Sequence, residues 1–369
     1  MLSSFRVVED VISQWAVEEG AAIQFVCSVR GREVSNVAAG YDDDNNLIDQ
    51  QRLFCVMSAS KAVAALVMLY LRAQGCYEPD ERITRWWPRF GRHGKEGATV
   101  AHVLSHRLGL PRLTTDHRLW GDREHMRTLV EEARPDWRPG ERFGYHGGIF
   151  GPVLDELVHR WTGESMGAIL QKELCAPMGI RDCFMGLPRD AGHRIVPLRF
   201  LESNQMDAAS KVVLPPFETG WFNDPDWLSA SNPSSGVVAS ASALVQLLDI
   251  LAHSGYAGGR RYWGEALQRD AERARNTPEE ASASATLPGA AFGLGFLVAP
   301  TPRVFGVVPM SRRTLGHIGA TGAVVCADSA AQVTYAFTIN GVGGSRALVR
   351  CQRIGDLVAE AVGRSEARS

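Results

Sequence analysis

The stretch Ser58-Ala59-Ser60-Lys61-Ala62-Val63-Ala64-Ala65-Leu66-Val67-Met68-Leu69-Tyr70-Leu71-Arg72-Ala73-Gln74-Gly75 decides how this chain is read. Val63, Leu66, Val67, Tyr70 and Leu71 recur at helical spacing, and Gly75 is a stop signal. Most of residues 58–74 is therefore expected as one helix, the most apolar in the chain. Ser58 and Lys61 stand three apart at its start, about one turn apart on one face. A helix N-terminus disfavours an ammonium, and partial burial pushes the same way. A Lys placed there can be neutral enough to take the proton of a Ser hydroxyl, which is otherwise a weak nucleophile. Alone the pattern is weak, because S-x-x-K also arises by chance on surface helices. Its weight comes from scarcity: the lysines are Lys61, Lys95, Lys172 and Lys211, and only Lys61 has a Ser at this spacing.

Working outward, residues 7–18 suit an amphipathic helix, and 22–29 and 33–39 read as strands around Arg30-Gly31-Arg32. Residues 40–52 are polar and read as a loop. Residues 80–190 are helical segments broken by Pro and Gly, among them 99–105, 151–161 and 166–174. Residues 196–235 read as irregular, and a loop of that length is more often functional than idle. Trp221 and Trp227 on it are candidates for a substrate wall, whereas Trp86, Trp87 and Trp120 are candidates for the core. Residues 241–253 read as a helix. Strands are expected at 295–298, 303–308, 322–326 and 333–339, then a helix at 347–362 and a polar tail at 363–369. Strand-rich ends thus flank a helical middle. The expected fold is α+β: one antiparallel sheet shared by the N- and C-terminal strands, flanked by helices, with a mostly helical region inserted.

The 369 residues suit one domain, 1–369, with an α/β lobe of about 1–75 and 240–369 and a helical lobe of about 76–239. Hydrophobic residues at 45% are enough for a sizeable core. A net charge of −2 favours neither nucleic acid nor an anionic membrane surface as partner. No run of about 18 apolar residues exists, so no membrane span is expected. The first residues lack a basic segment followed by an apolar run, so the expected location is cytoplasmic. The seven cysteines are scattered, odd in number and without CxxC spacing, which reads as idle thiols and no zinc site.

Two further stretches can carry chemistry. Pro139-Gly140-Glu141-Arg142-Phe143-Gly144-Tyr145-His146-Gly147-Gly148 is a tight turn delivering Tyr145 just before a helix. Singly, such a Tyr is usually a packed aromatic. As a partner of Ser58 and Lys61 it would be a phenolate-type base, since a nearby cation lowers a Tyr pKa. Gly316-His317-Ile318-Gly319-Ala320-Thr321-Gly322 is read as set between strands, where glycine permits close backbone approach and an N–H can be aimed at a reacting oxygen. Alone it would be a glycine-rich bulge. Two motifs are decoys. Gly163-Glu164-Ser165-Met166-Gly167 matches the G-x-S-x-G elbow, but that motif needs a strand before it, and the preceding residues have helical spacing. His102 and His106 have the i, i+4 spacing of zinc ligands without the Glu of H-E-x-x-H, so packing or local hydrogen bonds explain them better.

Together, in this order, Ser58-Ala59-Ser60-Lys61, Tyr145 and Gly316–Gly322 resemble the β-lactamase and penicillin-binding-protein superfamily over nearly the whole chain. His102-Val103-Leu104-Ser105-His106-Arg107-Leu108-Gly109-Leu110-Pro111 is similar to that group's LLxHxSGLP segment, and Asn232-Pro233-Ser234-Ser235-Gly236-Val237-Val238-Ala239-Ser240 to its GGLxST segment. Tyr145-His146 followed by Gly151, Glu156 and Arg160-Trp161-Thr162-Gly163 looks most like the family VIII carboxylesterases and statin-type acyltransferases. Gly147 stands where true β-lactamases have the Asn of Y-x-N, and His317 where they have the Lys of K-T-G. Those departures argue against a periplasmic lactamase or peptidase.

The resemblance implies a β-lactamase/transpeptidase-like fold and a serine esterase acting through a Ser58 acyl-enzyme, with Lys61 and Tyr145 handling protons. It implies that the N–H groups of Ser58 and Ala320 hold the oxyanion. His317, Gly319 and His146 are candidates for the same oxyanion and substrate-binding edge, with Trp221 and Trp227 as the wall. No metal and no organic cofactor are required. The expected partner is a small-molecule ester or acyl donor, with an acyl acceptor or a carrier-bound acyl group in the alternative reading, an acyltransferase of secondary metabolism. A β-lactamase or D-peptidase and a non-catalytic binding protein are the remaining readings.

Overall fold

The computed structural model describes residues 2–200, 219–284, 287–307, 310–342 and 345–366. Helix α1 (Leu2–Glu18) leads into strands β1 (Ile23–Val29) and β2 (Arg32–Ala39). Strand β3 (Phe54–Cys55) precedes a 3-10 turn (Met57–Ala59) and helix α2 (Ser60–Ala73). The helical middle supplies α3 (Phe150–Thr162), followed by β4 (Cys183–Met185), β5 (Val237–Ala239) and α4 (Ala241–Ala252). Strands β6 (Ala291–Phe292), β7 (Leu297–Val298), β8 (Thr314–Ile318), β9 (Val324–Asp328) and β10 (Val333–Ile339) come next, and α5 (Ser345–Glu366) closes the chain.

Seven strands form one sheet in the order β2-β1-β10-β9-β8-β7-β6, every neighbour antiparallel. Strand β1 pairs with β10 from Ile23↔Ile339 to Val29↔Val333, so the two ends of the chain share one sheet, as their strand patterns predict. Alternation along these strands feeds two layers. Phe25 and Cys27 of β1 and Tyr335 and Phe337 of β10 join Phe5, Val8 and Ile12 of α1 and Ile354, Leu357 and Val358 of α5. On the other face Val26, Val325 and Ala336 join Val63, Leu66 and Val67 of α2 and Leu244 and Leu248 of α4. Helix α2 is apolar all round because it is buried all round: every residue from Ser60 to Leu71 is in the interior. A second, three-stranded sheet, β3-β5-β4, leads the chain up to Ser58.

Four local readings need correction. Residues 303–305 are helical, within a turn at Pro302–Phe305, not strand. Pro302 opens that turn with a preset φ and no N–H to leave unpaired, which outweighs the β-branched letters after it; residue 308 lies outside the described residues. Gly316, His317 and Ile318 lie within β8 rather than between strands. The end of the chain stays helical to Glu366, because the polar residues there continue an amphipathic helix. In the segment read as irregular, residues 201–218 lie outside the described residues, and Thr219–Asn223 and Pro225–Ser229 are short helices. The Asp224 side chain caps the second by accepting from Asp226 N–H at 2.8 Å. No helix among the described residues is long and apolar enough to cross a membrane.

Because α2 is the hub of the larger core, Leu66→Ala should lower unfolding free energy by about 2–5 kcal/mol in urea denaturation, as for other fully buried leucines.

Candidate active site

The α-helix begins at Ser60, not at Ser58; the first Ser of the motif sits on the preceding 3-10 turn. Met57 just before it has φ +51°, a left-handed conformation that non-glycine residues seldom adopt. Ser60 secures that turn. Its Oγ donates to Met57 O at 2.5 Å and accepts from Val237 N–H at 2.9 Å, while Val56 N–H donates to Val237 O at 3.0 Å. Strand β5 thus grips the turn on both sides of Ser58. The i, i+3 spacing identified Ser58 and Lys61, but nothing in it marked Met57 or Ser60 as the residues that shape the turn.

Lys61 is completely buried. Its Nζ donates to Gly147 O at 2.9 Å and Ser234 O at 2.9 Å, and lies 3.2 Å from Ser58 Oγ. Two carbonyls, which can only accept, occupy two N–H groups. The third direction of Nζ, an N–H when charged or the lone pair when neutral, is turned to the Ser58 hydroxyl. Burial pulls the ammonium down to about 7. Lys95 provides an internal contrast: it is also fully buried, but its Nζ donates to the carbonyls of Arg92, Glu131 and Ala133, with no hydroxyl among them. That is a structural lysine. Lys61 differs by one partner, the Ser58 hydroxyl.

Tyr145 arrives on the turn before α3, its hydroxyl close enough to the Ser58 side chain for the two to interact. Lys61 Nζ lies 5.1 Å from its ring centroid. The expectation of a phenolate is overturned: burial raises Tyr145 above the usual phenol range, so it holds its proton at neutral pH. Three buried histidines surround this pair. The His106 ring packs 4.6 Å from that of Tyr145, and its Nδ1 accepts from His146 N–H at 3.1 Å. His146 Nε2 accepts from Leu110 N–H at 2.9 Å, so His146 braces the Tyr145 turn from the interior. His317 on β8 has its ring 6.1 Å from that of Tyr145, and its Nδ1–H donates to Ile318 O at 2.8 Å. Burial holds His146 and His317 down at about 3, and His106 well below the usual range, so all three are neutral.

Strand β8 ends against the turn that carries Ser58. A Cβ on Gly319 would lie 2.2 Å from Val56 O, so only glycine allows that approach, and Ala320 follows it. Trp227 is 5% exposed, its ring edge-on to Phe222 at 4.7 Å within the apolar cluster that also holds Met57, Leu53 and Cys55, so it is buried rather than on a wall facing solvent. Its helical turn, capped by Asp224, rotates it inward. Trp221 stacks on His117 with centroids 4.7 Å apart. Ser165 is the N-cap of a helical turn, its Oγ accepting from Ala168 N–H at 3.2 Å, and no strand precedes it. His102 closes a capping box with Thr99. Among the described residues no three His, Cys, Asp or Glu side chains are grouped to hold a metal ion.

Comparison with known proteins agrees with this architecture. The β-lactamase family model matches residues 15–359. Esterase/β-lactamase LipL of Mycobacterium tuberculosis (strain ATCC 25618 / H37Rv) is 26% identical over 307 residues, 77% of this chain and 68% of that protein. A penicillin-binding-protein homolog from Caulobacter crescentus superposes with a TM-score of 0.83 at 26% identity over 97% of both chains. A family VIII carboxylesterase gives a TM-score of 0.83 at 23% identity over 96% of this chain and 97% of its own. The chain belongs to the β-lactamase family and is an enzyme of the serine-hydrolase class.

Burial of Lys61 has a consequence for stability. Below about pH 7 the group is charged in both the folded and the unfolded chain. Between about 7 and the ordinary 10.5 the unfolded chain carries a proton that the folded one lacks, so stability rises with pH there. Denaturation of the wild type and of Lys61→Met across that window should differ in slope by about 1.4 kcal/mol per pH unit, the wild type rising more steeply.

Proposed function

We propose that the chain is a serine esterase that cleaves a small-molecule ester through an acyl-enzyme on Ser58. The observation that carries this reading is the position of Lys61: a buried amine titrating near neutrality, with two valences held by carbonyls and the third turned to the Ser58 hydroxyl. Esterase activity is also named for LipL and for the family VIII carboxylesterase.

Neutral Lys61 takes the Ser58 proton as Oγ attacks the ester carbonyl carbon, forming the Oγ–C bond and moving the carbonyl π pair onto oxygen. The N–H groups of Ser58 and Ala320 receive that oxyanion. Ser58 lies on the first turn, where backbone N–H groups have no intrahelical partner, and Ala320 follows Gly319, which abuts Val56 and Met57 just before Ser58. Collapse of the intermediate breaks the bond from carbon to the leaving oxygen. Tyr145, protonated and beside Ser58, passes a proton to that oxygen, with neutral His317 supporting its hydroxyl, and Lys61 returns the proton to Tyr145. Water repeats the sequence on the acyl-enzyme and frees the acid. A bound alcohol or amine in place of water would give transfer, and product analysis with added alcohol separates the two outcomes.

Labelling with a fluorophosphonate and turnover of a p-nitrophenyl ester test the reading. The label should map to Ser58 and vanish in Ser58→Ala. Lys61→Ala and Tyr145→Phe should each lose about two or more orders of magnitude in rate, and Ser165→Ala should keep nearly full activity. A label on Ser165, or full activity in Ser58→Ala, overturns it.

The acid limb of kcat/KM should have its midpoint near pH 7, where Lys61 loses its proton, falling about tenfold per unit below that. A rate profile flat from pH 5 to 9 would remove Lys61 from the role of base.

A further inference from the structure

The turn that carries Ala320 is backed by α5. It is closed by Gly319 N–H donating to Ala323 O at 2.7 Å and Gly322 N–H to Gly319 O at 2.9 Å. One end abuts the nucleophile turn at Val56. The other abuts α5: a Cβ on Gly322, whose φ is +90°, would lie 3.2 Å from Ala347 Cβ and 3.3 Å from Arg350 Nη2. Cys351 Sγ lies 3.3 Å from Gly322 O and donates to it.

Arg350 is 3% exposed. Its Nη1 donates to both carboxylate oxygens of Glu19, at 2.7 and 2.6 Å, just beyond the end of α1. Nε and Nη2 are also buried and have no hydrogen-bond partner among the described residues. A guanidinium out of water, matched through one nitrogen only, is a poor source of stability, since a buried ion pair is often no better than apolar side chains of similar volume. Nη2, the nitrogen left without a partner, is the one beneath Gly322.

We infer that Arg350, oriented by Glu19, is a positioning residue that sets the height of the Gly319–Gly322 turn and so places the Ala320 N–H over Ser58. The inference rests on the oxyanion role of Ala320 proposed above. Glu19 fixes Nη1, the planar guanidinium carries Nη2 to the underside of the turn, and Cys351 fixes the Gly322 carbonyl. Between that seat and Val56 the turn has two fixed ends.

The test compares wild type, Arg350→Lys, Arg350→Met and the double variant Glu19→Gln/Arg350→Met, which leaves no unpaired buried charge and keeps the proposal testable if Arg350→Met alone fails to fold. For folded variants, kcat and KM for a p-nitrophenyl ester, the pH midpoint and amide hydrogen exchange of residues 318–324 are measured. The double variant should lose about 10- to 100-fold in kcat, less than the 10²- to 10³-fold typical of deleting an oxyanion donor. KM and the pH midpoint should stay unchanged, exchange at 318–324 should speed up, and Arg350→Lys should recover part of the rate. A folded double variant with wild-type kcat and wild-type exchange overturns the inference, as does a loss of rate that follows a shifted pH midpoint. Failure of wild-type Ser58 to label would instead sink the catalytic reading, and the exchange measurement would still decide whether Arg350 holds the turn.

Discussion

The site depends on a single nitrogen having nowhere else to turn. Lys61 Nζ is out of water and bonded by two backbone carbonyls that cannot give a proton back. A free lysine spreads its donors over solvent and is charged. Here the donors are fixed in space, the charge is penalised by burial, and the remaining valence points at Ser58 Oγ. Much of the surrounding structure serves to bring those two carbonyls, Gly147 O and Ser234 O, to the same atom from separate parts of the chain. Ser234 also joins their two loops, its Oγ accepting from Gly151 N–H at 2.6 Å and donating to Gly148 O.

Three pieces of the fold converge there. The small sheet β3-β5-β4 and the Ser60 hydroxyl bend the chain through the left-handed Met57 and present Ser58 on the 3-10 turn just before α2. The helical middle brings Tyr145 on a turn backed by His106, His146 and Phe292. The large sheet brings β8, whose end lies against Val56. None of these pieces forms the site by itself, and the buried helix α2 packs against the layers that supply them. This dependence explains why helix spacing alone was a weak signal: one face of a helix can align Ser and Lys, but only tertiary contacts can bury the Lys.

The strands at both ends of the chain, their shared antiparallel sheet and the buried helix were legible because periodicities of two and 3.6 survive in single sequences. So were the decoys, since Ser165 lacked a preceding strand and His102 and His106 lacked the Glu of H-E-x-x-H. What was not legible depends on contacts across the fold. Residues 303–305 have strand-like letters, yet Pro302 and packing against α5 make them helical. Trp227 reads as a candidate substrate wall, whereas a capped turn buries it against Phe222. Tyr145 was expected as a phenolate because the cation beside it was visible in the motif and the burial around it was not. Desolvation is summed over neighbours from many segments, and no local pattern records it.

The corrected charge state of Tyr145 makes the site simpler. Buried histidines near a lysine could share its protons and blur its titration. His106, His146 and His317 do not, because burial keeps each of them neutral and the Lys61 charge itself disfavours a second cation nearby. Each also has one ring nitrogen committed to the backbone: His106 and His146 accept from N–H groups, and His317 donates to a carbonyl, which sets their tautomers. Tyr145 stays protonated for the same reason of burial. Lys61 is then the one group among these five that exchanges a proton near neutral pH, and the others are fixed dipoles around it. Of these five groups, only Lys61 offers a proton of the Ser58 hydroxyl a basic destination, and it lies 3.2 Å away.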